Sequence, residues 1–183
     1  SIKYLKSYKK DSPELDSKIL LGFVIGLKHK IYLHDEINVS KKHLAKFLDL
    51  IEVRAKGKPI SRIIGKRYFW KDVFKINDWT LDPRPESEIL IEEILHQNID
   101  KKYNYKILDL GCGSGCLGLS LLREFPNSNL VAIDRCKKAL FQAKKNSEDL
   151  FFSDRSKFLP GNWFNKNWTI DILNKARIKT KFD

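Results

Sequence analysis

Apolar positions change their spacing several times along this chain, and each change marks an element. Leu15, Ile19, Leu20, Phe23, Val24 and Leu27 recur at three- and four-residue steps, the period of a helix with one apolar face. Ser12-Pro13-Glu14 ahead of them is a helix start: a capping hydroxyl, a proline at the first helical position, then an acid in the first turn. That pattern ends near residues 28–30. Ser40 opens a second helix whose stripe is Leu44, Phe47, Leu48 and Ile51, and Gly57 stops it ahead of Pro59. Residues 1–10 form a short candidate helix before both. Residues 1–58 therefore read as a small helical bundle.

At Pro59 the pattern switches. Arg62-Ile63-Ile64 and Tyr68-Phe69-Trp70 flank Gly65, and Val73-Phe74-Lys75-Ile76 alternates, so one or two β-hairpins are expected in residues 60–78. Residues 59–84 become a hairpin linker bridging two domains, closed by Pro83-Arg84-Pro85. Glu86, Glu88 and the apolar Ile89, Leu90, Ile91, Ile94 and Leu95 start a further helix. Next comes a strand–loop–helix–strand unit. Lys106-Ile107-Leu108-Asp109-Leu110 is a short apolar strand of the buried parallel kind. Residues 111–115 turn, and Leu117, Leu119, Leu121 and Leu122 lie on a helix that Pro126-Asn127 ends. Leu130-Val131-Ala132-Ile133 is the second parallel strand, and residues 137–146 the next helix. Phe158-Leu159 is a weak third strand. Residues 85–183 thus read as an α/β domain. From residue 166 onward Trp168, Ile170, Ile172, Leu173 and Ile178 stand among basic residues in no clear period.

Composition narrows the class. The 183 residues are 42% hydrophobic and 32% charged, the profile of a globular protein. The longest apolar run, residues 19–27, is nine residues with two glycines. A bilayer-spanning helix needs about 20, so no membrane span is expected. No secretory signal is recognisable in the lysine-rich N-terminus, and a cytoplasmic location is expected. Methionine is absent, so the translated start is expected upstream of Ser1. Cys112 and Cys116 lie four apart, with Cys136 distant and no His-x-x-x-His or second cysteine pair beside them. No metal site is expected, and these read as small buried thiols in a reducing cytosol. The net charge of +12 is lopsided: residues 1–75 carry 18 Lys and Arg against 8 Asp and Glu, the remainder 17 against 15. Either an acidic or nucleic-acid partner meets the N-terminal part, or the lysines form a solvated surface.

The chemistry lies in Asp109-Leu110-Gly111-Cys112-Gly113-Ser114-Gly115, between a strand and a helix, where a doubly wound sheet binds a nucleotide-like ligand. Glycines let the backbone turn sharply and approach that ligand closely. Asp134, at the end of the next strand, can accept both hydroxyls of a ribose. A dinucleotide calls for a third glycine three residues after the second; here that position is Cys116. S-adenosylmethionine carries no phosphate but a cationic amino group, a ribose diol and an adenine, so acids beside the loop suit it better than NAD. Asp109 is expected to attract the cationic end, directly or through water. The alternative is a glycine turn with no ligand.

Asp109 to Gly115 with Asp134 resembles the first two motifs of Rossmann-like class I methyltransferases. Leu81-Asp82-Pro83-Arg84-Pro85-Glu86-Ser87-Glu88 resembles the Pro-Arg-Pro-x-Thr-Glu element of the release-factor glutamine N5-methyltransferases (HemK/PrmC-like). Gly57-Lys58-Pro59-Ile60, Ile64-Gly65 and Tyr68-Phe69 resemble that family's interdomain segment. The resemblance implies a helical substrate-recognition domain, a hairpin, and a methyltransferase domain. It implies S-adenosylmethionine held by Gly111, Cys112, Gly113, Ser114, Gly115, Asp134 and Trp163. Trp163 enters because Gly161-Asn162-Trp163-Phe164 resembles a segment packing near the adenine; without the resemblance it reads as an ordinary core or surface aromatic. Asn162 stands where the family has an acid, and its amide oxygen can accept from the adenine amino group.

The family's catalytic signature is Asn-Pro-Pro-Tyr at the end of a fourth strand, where it holds a planar amide nitrogen in line with the methyl group. These 183 residues contain no such sequence. Phe182-Asp183 resembles the opening of that strand, so the methyltransferase domain is expected to be incomplete here, with no catalytic residue in this chain. In that sheet the fourth strand lies beside the first, so residues 106–110 are expected at an edge. The implied substrate is a glutamine side-chain amide of a peptide chain release factor; the basic charge of the N-terminal domain adds an expected RNA or ribosome contact. Two alternatives are an adenine N6-methyltransferase acting on DNA or RNA and a non-catalytic binding fragment.

Overall fold

The computed structural model describes residues 1–27, 37–97, 99–162, 164–176 and 182, and divides into two units, Ser1–Gly65 and Lys66–Asp183. In the first unit, α1 (Ile2–Ser7), α2 (Pro13–Ile25), α3 (Lys41–Ala55) and α4 (Ile60–Ile64) surround one small core. Pro13 sits in the first turn of α2, and Gly26 ends the helix in the left-handed conformation at φ 73°. The Ser40 hydroxyl accepts the His43 N–H at 3.2 Å, capping α3.

The core face of these helices is only one half of the apolar stripe of the sequence. Leu20 and Val24 of α2 pack with Leu5, Phe47, Ile51 and Ala55, whereas Leu15, Ile19, Phe23, Leu44 and Leu48 are exposed. Each helix carries two adjacent apolar rows four residues apart, and one row fits the bundle interior. On α2 the buried row includes Asp16, whose carboxylate accepts Arg54 Nε of α3 at 2.7 Å in a largely buried ion pair. The stripe contained Leu20 and Val24 of this face but not the polar Asp16.

The expected strand around Ile63-Ile64 is instead α4. Ile60, Ile63 and Ile64 pack against the helical core, so burial overrides their β propensity. Gly65, at φ 70°, caps α4 and donates its N–H to the Ser61 carbonyl rather than centring a hairpin turn. A single hairpin follows, β1 (Lys66–Phe69) against β2 (Asp72–Lys75). Its turn residue Trp70 has φ 55° and is pinned twice: its backbone N–H donates to Glu88 and its indole N–H to Glu124, both at 2.8 Å. Phe69 and Phe74 are fully buried in the core of the second unit with Leu119, Leu122 and Phe125, each such side chain stabilising by roughly 1.5–3 kcal/mol.

After a 3-10 turn at Pro85–Ser87 and α5 (Glu88–His96), the second unit winds a parallel sheet. Strands β3 (Lys106–Leu110), β4 (Asn129–Asp134) and β5 (Ser156–Pro160) lie in that order, linked by α6 (Cys116–Glu124) and α7 (Lys137–Asp149), with α8 (Trp168–Ala176) after β5. Leu110 pairs with Ile133, and Asp134 with Pro160, so the strand ends align. The chain is therefore α/β, and among the described residues β3 forms one sheet edge, as expected. Phe158-Leu159, weak in sequence, are central to a full strand because β4 supplies their partner. Gly118 on α6 makes the helix–sheet approach possible: a Cβ there would lie 2.8 Å from Leu130 Cδ1.

Candidate functional site

The carboxyl ends of the three parallel strands open into one cavity. Gly111 beyond β3, Asp134 and Arg135 at the end of β4, and Gly161, Asn162 and Phe164 beyond β5 enclose about 350 Å³, within the range of small-molecule sites. Open α/β sheets bind their ligands at this end. A second cavity of about 290 Å³ shares Arg135, Gly161 and Asn162 and reaches Trp168 and Ile172 of α8.

Of the glycine loop, Gly111 lines the cavity. Gly111, Gly113 and Gly115 have φ of 81°, 55° and 78°, a region that side chains disfavour. These reversals turn the loop amides inward. The Gly111 and Cys112 N–H groups both donate to the Ile133 carbonyl, at 2.8 and 2.9 Å, and Gly115 donates to the Cys112 carbonyl at 2.7 Å. Gly113 donates to Asp134 Oδ2 at 2.9 Å. Asp134 Oδ1 accepts the Cys136 N–H at 2.8 Å. Two amides thus fix the carboxylate on the cavity wall, and each oxygen keeps acceptor capacity for a ligand hydroxyl.

Asp109 lies outside that wall. Its Oδ2 accepts the Gly118 N–H at 3.3 Å, filling one of the four donor positions left open in the first turn of α6. Burial pushes its pKa up to about 6, against the pull of the Gly118 bond and with a further upward push from Asp134. It is a capping carboxylate close enough to the site to feel its charge.

The loop's other side chains face the interior. Cys112 and Ser114 are buried, so any contact they make with a ligand runs through the backbone. Burial raises the pKa of the Cys112 thiol and pushes Cys116 up to about 11, which leaves both protonated and poor nucleophiles. The three cysteines are free. Asn162 Oδ1 accepts the Phe164 N–H at 3.1 Å. Trp163 lies outside the described residues. Among the described residues no group of three His, Cys, Asp or Glu side chains is placed to hold a metal ion, and no helix is long and apolar enough to cross a membrane.

Three residues that shape the site escaped sequence reasoning. Arg135 contributes to both cavities; its position directly after a strand-end acid was the available signal. Gly118 was visible as a glycine inside a helical pattern, a known mark of close packing. Asn146 is buried on α7, and its carboxamide accepts the Lys75 N–H at 2.9 Å while donating to the Ser114 carbonyl at 2.8 Å. A polar residue on a helix gives no such warning.

Known proteins supply an independent comparison. Residues 1–65 match the PrmC N-terminal domain, and residues 101–181 match a methyltransferase domain. A release factor glutamine methyltransferase of Caulobacter vibrioides is 33% identical over 160 residues, covering 87% of this chain and 55% of that protein. A release factor glutamine methyltransferase of Buchnera aphidicola is 35% identical over 175 residues, covering 93% and 62%. A bifunctional methyltransferase of Rickettsia prowazekii is 32% identical over 173 residues, covering 84% and 33%. The chain spans about half the length of the release factor methyltransferases it matches.

Proposed function

The chain belongs to the HemK/PrmC-like family of S-adenosylmethionine-dependent methyltransferases, and from that premise we propose that its strand-end cavity binds S-adenosylmethionine for methylation of a glutamine side-chain amide on a peptide chain release factor. The observation that carries the cofactor reading is the direction of the loop amides. A pyrophosphate needs N–H groups pointing at it. Here the amides of Gly111, Cys112, Gly113 and Gly115 are already bonded to Ile133, Asp134 and Cys112. What the loop offers a ligand is a close, uncharged backbone wall beside a fixed carboxylate. That suits a phosphate-free nucleoside: Asp134 would take the ribose hydroxyls, and Gly111 would pass close to the chain joining ribose and amino acid. Arg135 and Asn162 would flank the base. The bound cofactor would supply the electrophilic methyl group.

Isothermal titration of the chain with S-adenosylhomocysteine and with NAD tests this reading. The sulfur nucleoside is expected to bind and NAD is not. Asp134→Ala should lose roughly 1–3 kcal/mol by leaving hydroxyls unpaired. Binding of NAD alone overturns the reading.

The helical unit is the proposed release-factor-facing part. Residues 1–65 carry 14 Lys and Arg against 7 Asp and Glu, a balance that favours an acidic partner surface. That substrate places the work in the cytoplasm. Labelled methyl transfer by the enzyme to a release factor, and to the same factor with its acceptor glutamine replaced, reads the substrate assignment. Equal label in both arms removes it.

A further inference from the structure

The hairpin and the glycine loop are far apart in sequence, yet one side chain of α7 joins them. Asn146 is 2% exposed. Its Oδ1 accepts the Lys75 N–H at 2.9 Å, and its Nδ2 donates both to the Lys75 carbonyl at 2.9 Å and to the Ser114 carbonyl at 2.8 Å. The Lys75 pair imitates a β-ladder, setting one amide group beside the last residue of β2. The Ser114 bond catches a carbonyl just before α6, between Gly113 and Gly115. Neighbouring contacts hold the same strip of chain in place. Lys75 Nζ lies 2.8 Å from Asp149 Oδ2 on α7. Two residues further, Asn77 Nδ2 donates to the Lys138 carbonyl near the start of α7 at 3.2 Å. The chain then passes the loop itself, where a Cβ on Gly113 would lie 3.9 Å from the Leu81 backbone nitrogen.

We propose that Asn146 is a positioning residue that sets the shape of the glycine loop by tying the Ser114 carbonyl to strand β2, so that the hairpin and the ligand cavity are ordered together. The physical case rests on what else could hold Ser114. Its side chain is buried. The N–H that would bond its carbonyl in a continued helix, that of Gly118, is instead taken by Asp109. Asn146 therefore fills a position the helix leaves open, and a residue without a donor there leaves a buried carbonyl unpaired. With Ser114 released, the alternation of left-handed glycines loses an anchor between Gly113 and Gly115, and the wall beside Asp134 loosens.

The proposal rests on the cofactor reading for its ligand arm only. Two variants test it. Asn146→Asp keeps the acceptor for the Lys75 N–H and loses both bonds donated by Nδ2, to the Lys75 and Ser114 carbonyls. Asn146→Ser buries no charge and serves if the first does not fold. In either folded variant, hydrogen exchange of peptides spanning residues 111–115 is expected to quicken about tenfold or more, while residues 130–133 of β4 keep their protection. The dissociation constant for S-adenosylhomocysteine is expected to rise about tenfold, the loss of one buried hydrogen bond. A reference variant, Ile91→Val, lies in the core on α5 and makes none of the hydrogen bonds that hold Ser114; it is expected to lower the melting temperature without moving either reading. Unchanged loop exchange in a folded Asn146 variant overturns the proposal. So does a loop that loosens equally in Ile91→Val, which would make the effect one of general stability. If the wild-type chain fails to bind S-adenosylhomocysteine, the cofactor reading falls and loop exchange alone decides this one.

Discussion

Asp109 shows how one side chain serves two ends that conflict. As a cap it is best ionised, yet burial holds its pKa near 6 against an ordinary value of 3.8. Because the folded value lies above the unfolded one, its favourable contribution is complete below about pH 4 and is lost as pH rises through about 6. Asp109→Asn keeps an acceptor for Gly118 and carries no charge. The variant is therefore expected to be more stable than the wild type at pH 8, by at most roughly 3 kcal/mol, with the gap closing toward pH 4.5. Urea unfolding at the two pH values measures it, and a gap that widens on acidification refutes it. Gly118 on the same helix is constrained by space rather than charge. A methyl group there meets Leu130 Cδ1 at 2.8 Å and Asp109 Oδ2 at 3.0 Å. Gly118→Ala is expected to cost about 1–3 kcal/mol, read as a fall in the urea midpoint, despite alanine's better helix propensity.

Elements were legible where a local signal and burial agreed. Ser12-Pro13, Ser40 and the strand–glycine–helix run at 106–122 carried their own punctuation, and α2, α3, β3 and α6 follow it. Elements whose identity depends on a distant partner were less legible. Ile60–Ile64 reads as strand from its side chains and is a helix because its isoleucines have a helical core to enter. Leu20 and Val24 were in the stripe of α2, but which row is buried did not show, because Asp16, paired with Arg54 from another helix, looks like a surface residue in isolation. The same holds at the site. The glycines and Asp134 could be read from spacing, whereas Arg135 and Asn146 acquire meaning only through strands and loops that the sequence does not place beside them. The capping signal at Ser40 supports a prediction of its own. Ser40→Ala should lose about 1 kcal/mol of stability, visible as a lower melting temperature of the helical signal, and no loss would mean that the His43 bond contributes nothing in solution.

For the molecule as a whole, the division at Gly65 gives each part a core of its own. A fragment of residues 1–65 is accordingly expected to fold alone with a helical circular dichroism spectrum and a cooperative melt, and a featureless coil spectrum would show that its core is insufficient. In the second unit the loop amides already have partners inside the protein. Amides bonded within the protein need not change partners to meet a ligand, so little of the loop has to rearrange at the moment of encounter. Association should then follow a single kinetic phase whose rate rises linearly with ligand concentration, with no slower step of closing. Discrimination among nucleosides would reside in how fast each one leaves, so that the selective quantity of this cleft is a residence time.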